Sequence, residues 1–204
     1  MTSPSAAYLR KLAACLDRLD HDALDHGIAL VRAAWQDGRQ IITLGNGGSA
    51  MTALHFVTDW AKMVHLTTGK PFRGRSLVDN VGLLTAYAND LSFEDIFAEQ
   101  MKNVAVRGDL VVAISGSGNS ENVIRAVTVA NAMGCETLGL CGFRGGRLKT
   151  TARHVIWADV DDMQLSEDVH AIFGHMVMKA LCHPEQLTDT GHAGRSRVAD
   201  RLRV

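Results

Sequence analysis

The sequence predicts an α/β fold: a three-layer, doubly wound parallel sheet of the flavodoxin-like type, with additional helices at the N-terminus. Short apolar runs rich in β-branched residues alternate along the chain with longer segments of helical periodicity. The strand-like runs are continuously hydrophobic, which is typical of parallel strands buried on both faces. The order strand, glycine-rich turn, helix also occurs twice. Together these observations predict a sheet covered by helices on both sides.

The individual elements follow from the same patterns. Helical spacing before and after a polar break at Asp20, His21 and Asp22 predicts two helices ahead of the first strand. The predicted helices span 4–18, 23–35, 50–64, 80–87, 93–103, 121–133 and 162–182. The predicted strands span 40–44, 75–78, 109–114, 136–141 and 154–157.

The length and charge of the chain limit its organisation and its partners. A chain of 204 residues suits one domain, which we expect to span 1–183 and to include the N-terminal helical pair. The arginine-rich segment 184–204 is expected to be a solvated tail or a subunit-docking arm rather than a ligand lid. With 21 Lys and Arg against 22 Asp and Glu, the chain lacks the charge of a nucleic-acid or anionic-membrane binder.

The cysteines and the apolar runs predict a cytoplasmic protein. Cys15, Cys135, Cys141 and Cys182 are scattered without CxxC spacing, which indicates reduced, buried thiols. No apolar run reaches the roughly 20 residues that cross a bilayer, and the first residues do not resemble a signal peptide.

Serine- and glycine-rich turns follow two of the predicted strands, at 45–49 and 115–120. Glycine permits a tight turn, and a turn that opens a helix directs free N–H groups and a partial positive charge at whatever lies in front of it. Such a site suits a phosphate monoester, beyond the carboxyl ends of the strands. The residues predicted to bind it are Asn46, Gly47, Gly48, Ser49, Ser115, Gly116, Ser117, Asn119 and Ser120.

Two other interpretations of these turns remain. Residues 45–50 match the G-x-G-x-x-A form of the dinucleotide fingerprint, but that motif needs an acidic residue about 20 positions later, and 62–78 contains none. The turns can also be well-formed bends without a ligand.

Histidines and carboxylates on two predicted helices form a candidate metal site. His55 and Asp59 are four residues apart and share one helix face. On the last helix, the apolar stripe leaves Glu167, His170 and His175 free for chemistry. These residue types ligate divalent cations, although a histidine one turn from a carboxylate is more often an ordinary hydrogen-bonded pair.

The strings LGNGGSA and ISGSGNSENVIRA, followed by a long helix with a histidine near its end, resemble the SIS (sugar isomerase) domain family. Within that family the chain is similar to the phosphoheptose isomerases, which convert sedoheptulose 7-phosphate to a heptose 7-phosphate; the resemblance covers about 5–182. It implies that Ser49, Ser115, Ser117 and Ser120 bind the sugar phosphate. It also implies Zn²⁺, or another divalent metal, held by His55, Asp59, Glu167 and His175. A homotetramer with active sites at subunit interfaces is implied as well.

The chain departs from the family pattern at three positions. Asp59 stands where the family has its catalytic Glu, Glu167 where it has Gln, and Met63 where it has Arg. Asp59 or Glu167 is therefore the expected base, with His175 as the proton shuttle. Asp90 matches a family aspartate near the sugar, or caps the helix that follows it.

One spacing conflicts with a simple metal site. Glu167 and His175 are eight residues apart, about 12 Å along a straight helix, which is long for two ligands of one ion. Either the helix is irregular or neighbouring chains share the site. His170 is then expected either to interact with one of the metal ligands or to face a subunit interface or solvent.

The function expected from this resemblance is an aldose–ketose isomerase acting on a sugar phosphate, most simply sedoheptulose 7-phosphate. A non-catalytic phosphosugar-binding SIS module with a regulatory or protein-interaction role is the alternative.

Overall fold

The computed structural model describes residues 3–187. The strands are β1 (Ile41–Gly45), β2 (Gly74–Ser76), β3 (Leu110–Ser115), β4 (Glu136–Cys141) and β5 (His154–Trp157). The α-helices are α1 (Pro4–Leu16), α2 (His21–Gln36), α3 (Gly48–Asp59), α4 (His65–Thr68), α5 (Val81–Asp90), α6 (Ile96–Val104), α7 (Glu121–Met133), α8 (Leu148–Thr151) and α9 (Met163–Cys182). A π-helical turn (Trp60–Val64) separates α3 from α4, and 3₁₀ turns occupy Phe93–Asp95 and Pro184–Leu187.

The five strands form one parallel sheet in the order β2-β1-β3-β4-β5. This is the flavodoxin-like order, and it confirms the predicted doubly wound α/β fold. Among residues 3–187, none of the helices is long and apolar enough to cross a membrane. The expected boundary at 183 stays a prediction, since 188–204 lie outside the described residues.

Two apolar layers cover the sheet. On one face, β-strand residues pack with α1, α2, α3 and α9 through side chains such as Val31, Phe56 and Phe173. On the other face, α6 and α7 contribute side chains such as Phe97 and Val123. The helices that follow β1 and β3 therefore lie on opposite faces, which makes this pair of strands the switch point of the fold.

Close packing joins α3 to α9. Gly174 faces the ring of Phe56 so closely that a Cβ at this position would overlap the ring. The indole N–H of the fully buried Trp60 donates to the carbonyl of Gly174 at 2.9 Å. These contacts fix the groove between α3 and α9, along which the candidate site residues lie.

The predicted helix over 50–64 differs from the observed one. The regular α-helix ends at Asp59, and the chain continues through the π-helical turn into α4. Trp60 begins the wider turn and is held by its bond to Gly174, a tertiary contact that helical periodicity does not report. The short helix α8 was also not predicted, because four residues are too few for a periodic pattern.

Of the alternatives left open for His170, the solvent-facing one is wrong. Its side chain is 0% exposed, beneath the end of β4, and neither ring nitrogen has a hydrogen-bond partner among residues 3–187. Burial lowers the pKa of His170 to about 4, and the nearby backbone of Cys141 offsets only part of that shift. The imidazole is therefore neutral at neutral pH.

Replacing Gly174 by Ala is expected to lower the free energy of unfolding by about 1–3 kcal/mol, because the added methyl group enters the space of the Phe56 ring. Urea denaturation measures the change. The matched control is Gly82→Ala on the exposed side of α5, where the added Cβ meets only the Asn80 side chain at 3.1 Å. The control is expected to leave stability unchanged or to raise it, and equal losses in both variants would contradict the packing argument.

The stability of the protein is expected to fall as the pH falls from about 6.5 to about 4. In this range the unfolded chain protonates His170 while the folded chain resists it, so the unfolded state binds more protons. The shift corresponds to a loss of about 3 kcal/mol, complete below the folded-state pKa. Thermal melts across this range in wild type and His170→Leu measure the effect. A pH profile as steep in the variant as in wild type would contradict it.

Candidate active site

Two serine-containing loops lie side by side at the switch point of the sheet. β1 and β3 pair in parallel register, with Gly45 opposite Ile114, so both strands end at the same edge. The loop after β1 leads into α3, and the loop after β3 leads into α7. The edge beyond the carboxyl ends of such strands is the usual ligand-binding position in this type of fold.

A reciprocal amide pair holds the two loops together. The Asn46 side-chain amide donates to Oδ1 of Asn122 at 2.8 Å, and the Asn122 amide donates to Oδ1 of Asn46 at 3.0 Å. Asn122 is buried in the first turn of α7. The pair fixes the starts of α3 and α7 relative to each other.

A cavity of about 180 Å³ opens between these loops. It is lined by Asn46, Ser49, Ile114, Ser115, Gly116, Ser117, Ser120, Met163 and Glu167. The hydroxyls of Ser115 and Ser120 lie 3.3 Å apart, and the Ser120 side chain makes no capping hydrogen bond to α7. Hydroxyls beside a helix N-terminus form a donor-rich anion site.

Glu167 enters this cavity from α9. Its carboxylate lies against Gly48 so closely that a Cβ at position 48 would collide with it. The carboxylate therefore sits beside the N-terminal turn of α3, whose partial positive charge favours an anion. None of the described residues that line the cavity is Lys, Arg or His.

His55, Asp59 and His175 form a second cluster. One ligand atom of each lies within 4.8 Å of the other two, and Nε2 of His55 is 3.1 Å from Oδ2 of Asp59. The rings of His55 and His175 meet edge to face, with centroids 5.2 Å apart. Two imidazoles and a carboxylate are a donor set that suits a divalent cation such as Zn²⁺. The side chains of His55 and Asp59 are 46% and 33% exposed, so the cluster is open to solvent.

Glu167 lies outside this cluster, although the resemblance implied four ligands. α9 is an unbroken α-helix of 20 residues, so the expectation that it is irregular is wrong. Glu167 lies in the serine-lined cavity, whereas His175 is about 12 Å further along the helix axis. Likewise, His55 is about 10 Å from Gly48 along α3.

Gly47, Asn119 and Asp90 are the other residues predicted to bind the substrate, and they differ in their position relative to the cavity. Gly47 precedes α3 with a positive φ of 54°, a conformation that favours glycine. Asn119 lines an adjoining cavity instead, and its Oδ1 accepts from the backbone N–H of Arg147. Asp90 is the exposed last residue of α5, accepts a hydrogen bond from Asn89 and does not cap the helix that follows. The capping expectation for Asp90 is therefore wrong.

Sequence reasoning missed the adjoining cavity, which has a volume of about 360 Å³. Its lining consists of Ser117, Asn119, Phe143, Arg144, Gly146, Asp161 and Met163. Ser117 and Met163 line both cavities. The adjacent glycines at 145 and 146 are the sequence feature that predicts a turn here, and in the structure this turn packs against the serine loop.

The chain is similar in sequence to known proteins. Residues 7–142 match the family described as SIS domain. A probable phosphoheptose isomerase from Thermoplasma acidophilum is 37% identical over 147 residues, 72% of this chain and 80% of that protein. The phosphoheptose isomerase of Solidesulfovibrio magneticus is 34% identical over 181 residues, 87% of this chain and 88% of that protein.

Solved structures show the same fold. The phosphoheptose isomerase GmhA from Neisseria gonorrhoeae superposes with a TM-score of 0.79 at 24% identity, covering 87% of this chain and 96% of that one. A phosphoheptose isomerase from Francisella tularensis gives a TM-score of 0.79 at 23% identity, covering 89% and 98%.

Proposed function

The chain belongs to the SIS domain family, and from this membership and the site geometry we propose that it is an aldose–ketose isomerase that converts sedoheptulose 7-phosphate to a heptose 7-phosphate. The observation that carries the proposal is the placement of two complementary sites along one groove. Phosphate-type donors lie at one end, and a group of imidazoles and a carboxylate lies two helical turns away.

The serine-lined cavity is the phosphate end of this site. Ser49 comes from the first loop, and Ser115, Ser117 and Ser120 come from the second. Their hydroxyls and the N-termini of α3 and α7 offer donors to the phosphate oxygens. A volume of about 180 Å³ suits the phosphate and the nearest carbons, so the carbonyl end of the sugar extends beyond the cavity.

Isomerisation moves protons between the first two carbons and their oxygens. In this proposal Asp59 removes the carbon-bound proton, which is supported by its position in the histidine cluster and away from the phosphate cavity. His175, in the same cluster, moves the oxygen-bound proton. Glu167 lines the phosphate cavity, and this position favours a role in orienting the bound ester over that of the base.

We propose that His55, Asp59 and His175 hold a divalent metal ion, with Zn²⁺ as the best fit to their donor atoms. Such an ion supplies Lewis-acid polarisation of the sugar carbonyl. Glu167 of the same chain is too far along α9 to join these three ligands, so its participation requires a neighbouring copy of the chain.

We further propose a homotetramer with active sites at subunit interfaces. The histidine cluster is exposed, and Met51, one turn before His55 on α3, is 61% exposed. A second chain docked on this face would shield the cluster from solvent and bury the Met51 side chain. A cytoplasmic location fits the four free, buried cysteines, because thiols persist in a reducing compartment.

Substitution of the two carboxylates is expected to separate their roles. Asp59→Asn removes the proposed base, which is also a proposed metal ligand, and is expected to lower kcat for sedoheptulose 7-phosphate about 10²- to 10⁴-fold. Glu167→Gln removes a negative charge from the phosphate cavity and is expected to lower KM while changing kcat less than tenfold. A ketose-to-aldose assay measures both constants. The reverse pattern would assign the base to Glu167, and a wild-type protein that turns over no ketose phosphate would indicate a non-catalytic sugar-phosphate-binding module.

Removal of one histidine is expected to weaken metal binding. His175→Ala is expected to bind Zn²⁺ more than tenfold more weakly than wild type, because one of three ligands is lost. Metal analysis after dialysis and a titration with Zn²⁺ measure the loss. The matched control is His65→Ala on α4, a histidine outside the cluster. Equal metal content in wild type and His175→Ala would contradict the assignment.

A further inference from the structure

The phosphate cavity has an unusual charge balance for a site that holds a phosphate dianion. The described residues that line it include a carboxylate, Glu167, and no cationic side chain. Hydroxyls and helix N-termini supply partial charges only. A dianion that enters beside a carboxylate is better retained when a full positive charge lies close by. This inference rests on the proposed function, since it concerns how that phosphate is held.

The loop after β4 lies directly on the serine loop. The backbone N–H of Gly142 donates to the carbonyl of Gly116, and that of Leu148 donates to the carbonyl of Gly118, both at 2.8 Å. A Cβ at Gly118 would overlap the backbone of Gly145. Backbone therefore packs directly on backbone, and the two loops form one packed unit.

Within this loop the chain adopts a costly conformation at Phe143. Its φ of 46° makes Phe143 the one non-glycine residue with positive φ in the described part of the chain. Its carbonyl accepts from the indole N–H of Trp157 at 2.9 Å, and its N–H donates to the carbonyl of Val160 at 3.1 Å. Left-handed backbone at a bulky residue costs free energy and persists where the surroundings enforce it, often beside a binding site.

Arg144 follows this turn and lines the cavity of about 360 Å³ that adjoins the phosphate cavity. Among residues 3–187, Arg144 has no hydrogen-bond or ion-pair partner. Its neighbour Arg147 is engaged by Glu121. Asp161 lines the same cavity but forms no ion pair with Arg144. Arg144, whose side chain has no partner among residues 3–187, therefore lines the same cavity as Ser117, which also lines the phosphate cavity.

We propose that Arg144 is the cation of the phosphate site. Its guanidinium donates to the phosphate oxygens from the open side, opposite the hydroxyls and the N-terminus of α7. A planar guanidinium presents paired N–H groups that match two phosphate oxygens, which a lysine cannot reproduce. The residue thereby makes the site selective for phosphorylated sugars over neutral ones. The adjoining cavity is the space in which the side chain closes on the ligand.

The proposal is tested by phosphate binding in matched arginine variants. Inorganic phosphate is titrated calorimetrically into wild type, Arg144→Ala, Arg144→Lys and Arg10→Ala. Arg10 is an exposed arginine on α1 without an ion-pair partner among residues 3–187, so its loss matches the charge change elsewhere on the surface. We expect Arg144→Ala to bind phosphate about 10- to 100-fold more weakly, Arg144→Lys to lie in between, and Arg10→Ala to equal wild type.

Turnover separates this proposal from the proposed function. With sedoheptulose 7-phosphate, Arg144→Ala is expected to raise KM by a similar factor and to leave kcat within a fewfold of wild type. With unphosphorylated sedoheptulose the variant and wild type are expected to behave alike. An active Arg144→Ala with unchanged phosphate affinity would overturn the role of Arg144 and leave the isomerase standing. A wild type that neither binds phosphate nor turns over the ketose phosphate would overturn both.

Discussion

The parallel pairing of β1 with β3 is the constraint on which the site depends. Because Gly45 lies opposite Ile114, the loops that follow these strands start at the same height on one edge of the sheet. The next helices go to opposite faces, so their N-termini converge on the gap between the strands. The reciprocal bonds of Asn46 and Asn122 then set the width of that gap. Helix starts and hydroxyls supply partial charges and donors to an anion site built in this way, and the proposed Arg144 adds the full positive charge.

The contact between α3 and α9 runs from this site to the histidine cluster. Two glycines allow α3 and α9 to approach each other closely at two points along their length. Gly48 makes room for the Glu167 carboxylate, and Gly174 makes room for the Phe56 ring. Between these points lie the two turns of helix that separate the phosphate cavity from the histidine cluster. This distance is comparable to the length of an extended seven-carbon sugar phosphate. Rigid helices therefore hold the phosphate cavity and the histidine cluster at a fixed separation, which in the proposed function would orient the two ends of the substrate for catalysis.

Much of this architecture is encoded locally. The strands over 136–141 and 154–157 and the helix over 121–133 have the predicted bounds, because continuous apolar runs and clear turn residues delimit them. The π-helical turn at Trp60, the left-handed Phe143 and the burial of His170 were missed for one shared reason: each is set by a tertiary contact. The helical pattern also placed Glu167 and His175 correctly on one helix. It cannot show that one faces the phosphate cavity and the other a separate cluster.

The exposure of the histidine cluster links the proposed catalytic role to the proposed assembly. In water the fields of charged groups are weak, and proton transfer from carbon benefits from a site that excludes solvent. One chain leaves the side chains of His55 and Asp59 substantially exposed, and it offers Met51 beside them as apolar contact surface. A second chain that covers this face would strengthen the electrostatic interactions of the cluster and bring a second set of carboxylates close to it. Within one chain, a straight helix keeps Glu167 and His175 apart. An interface would join a Glu167 and a His175 that belong to different chains.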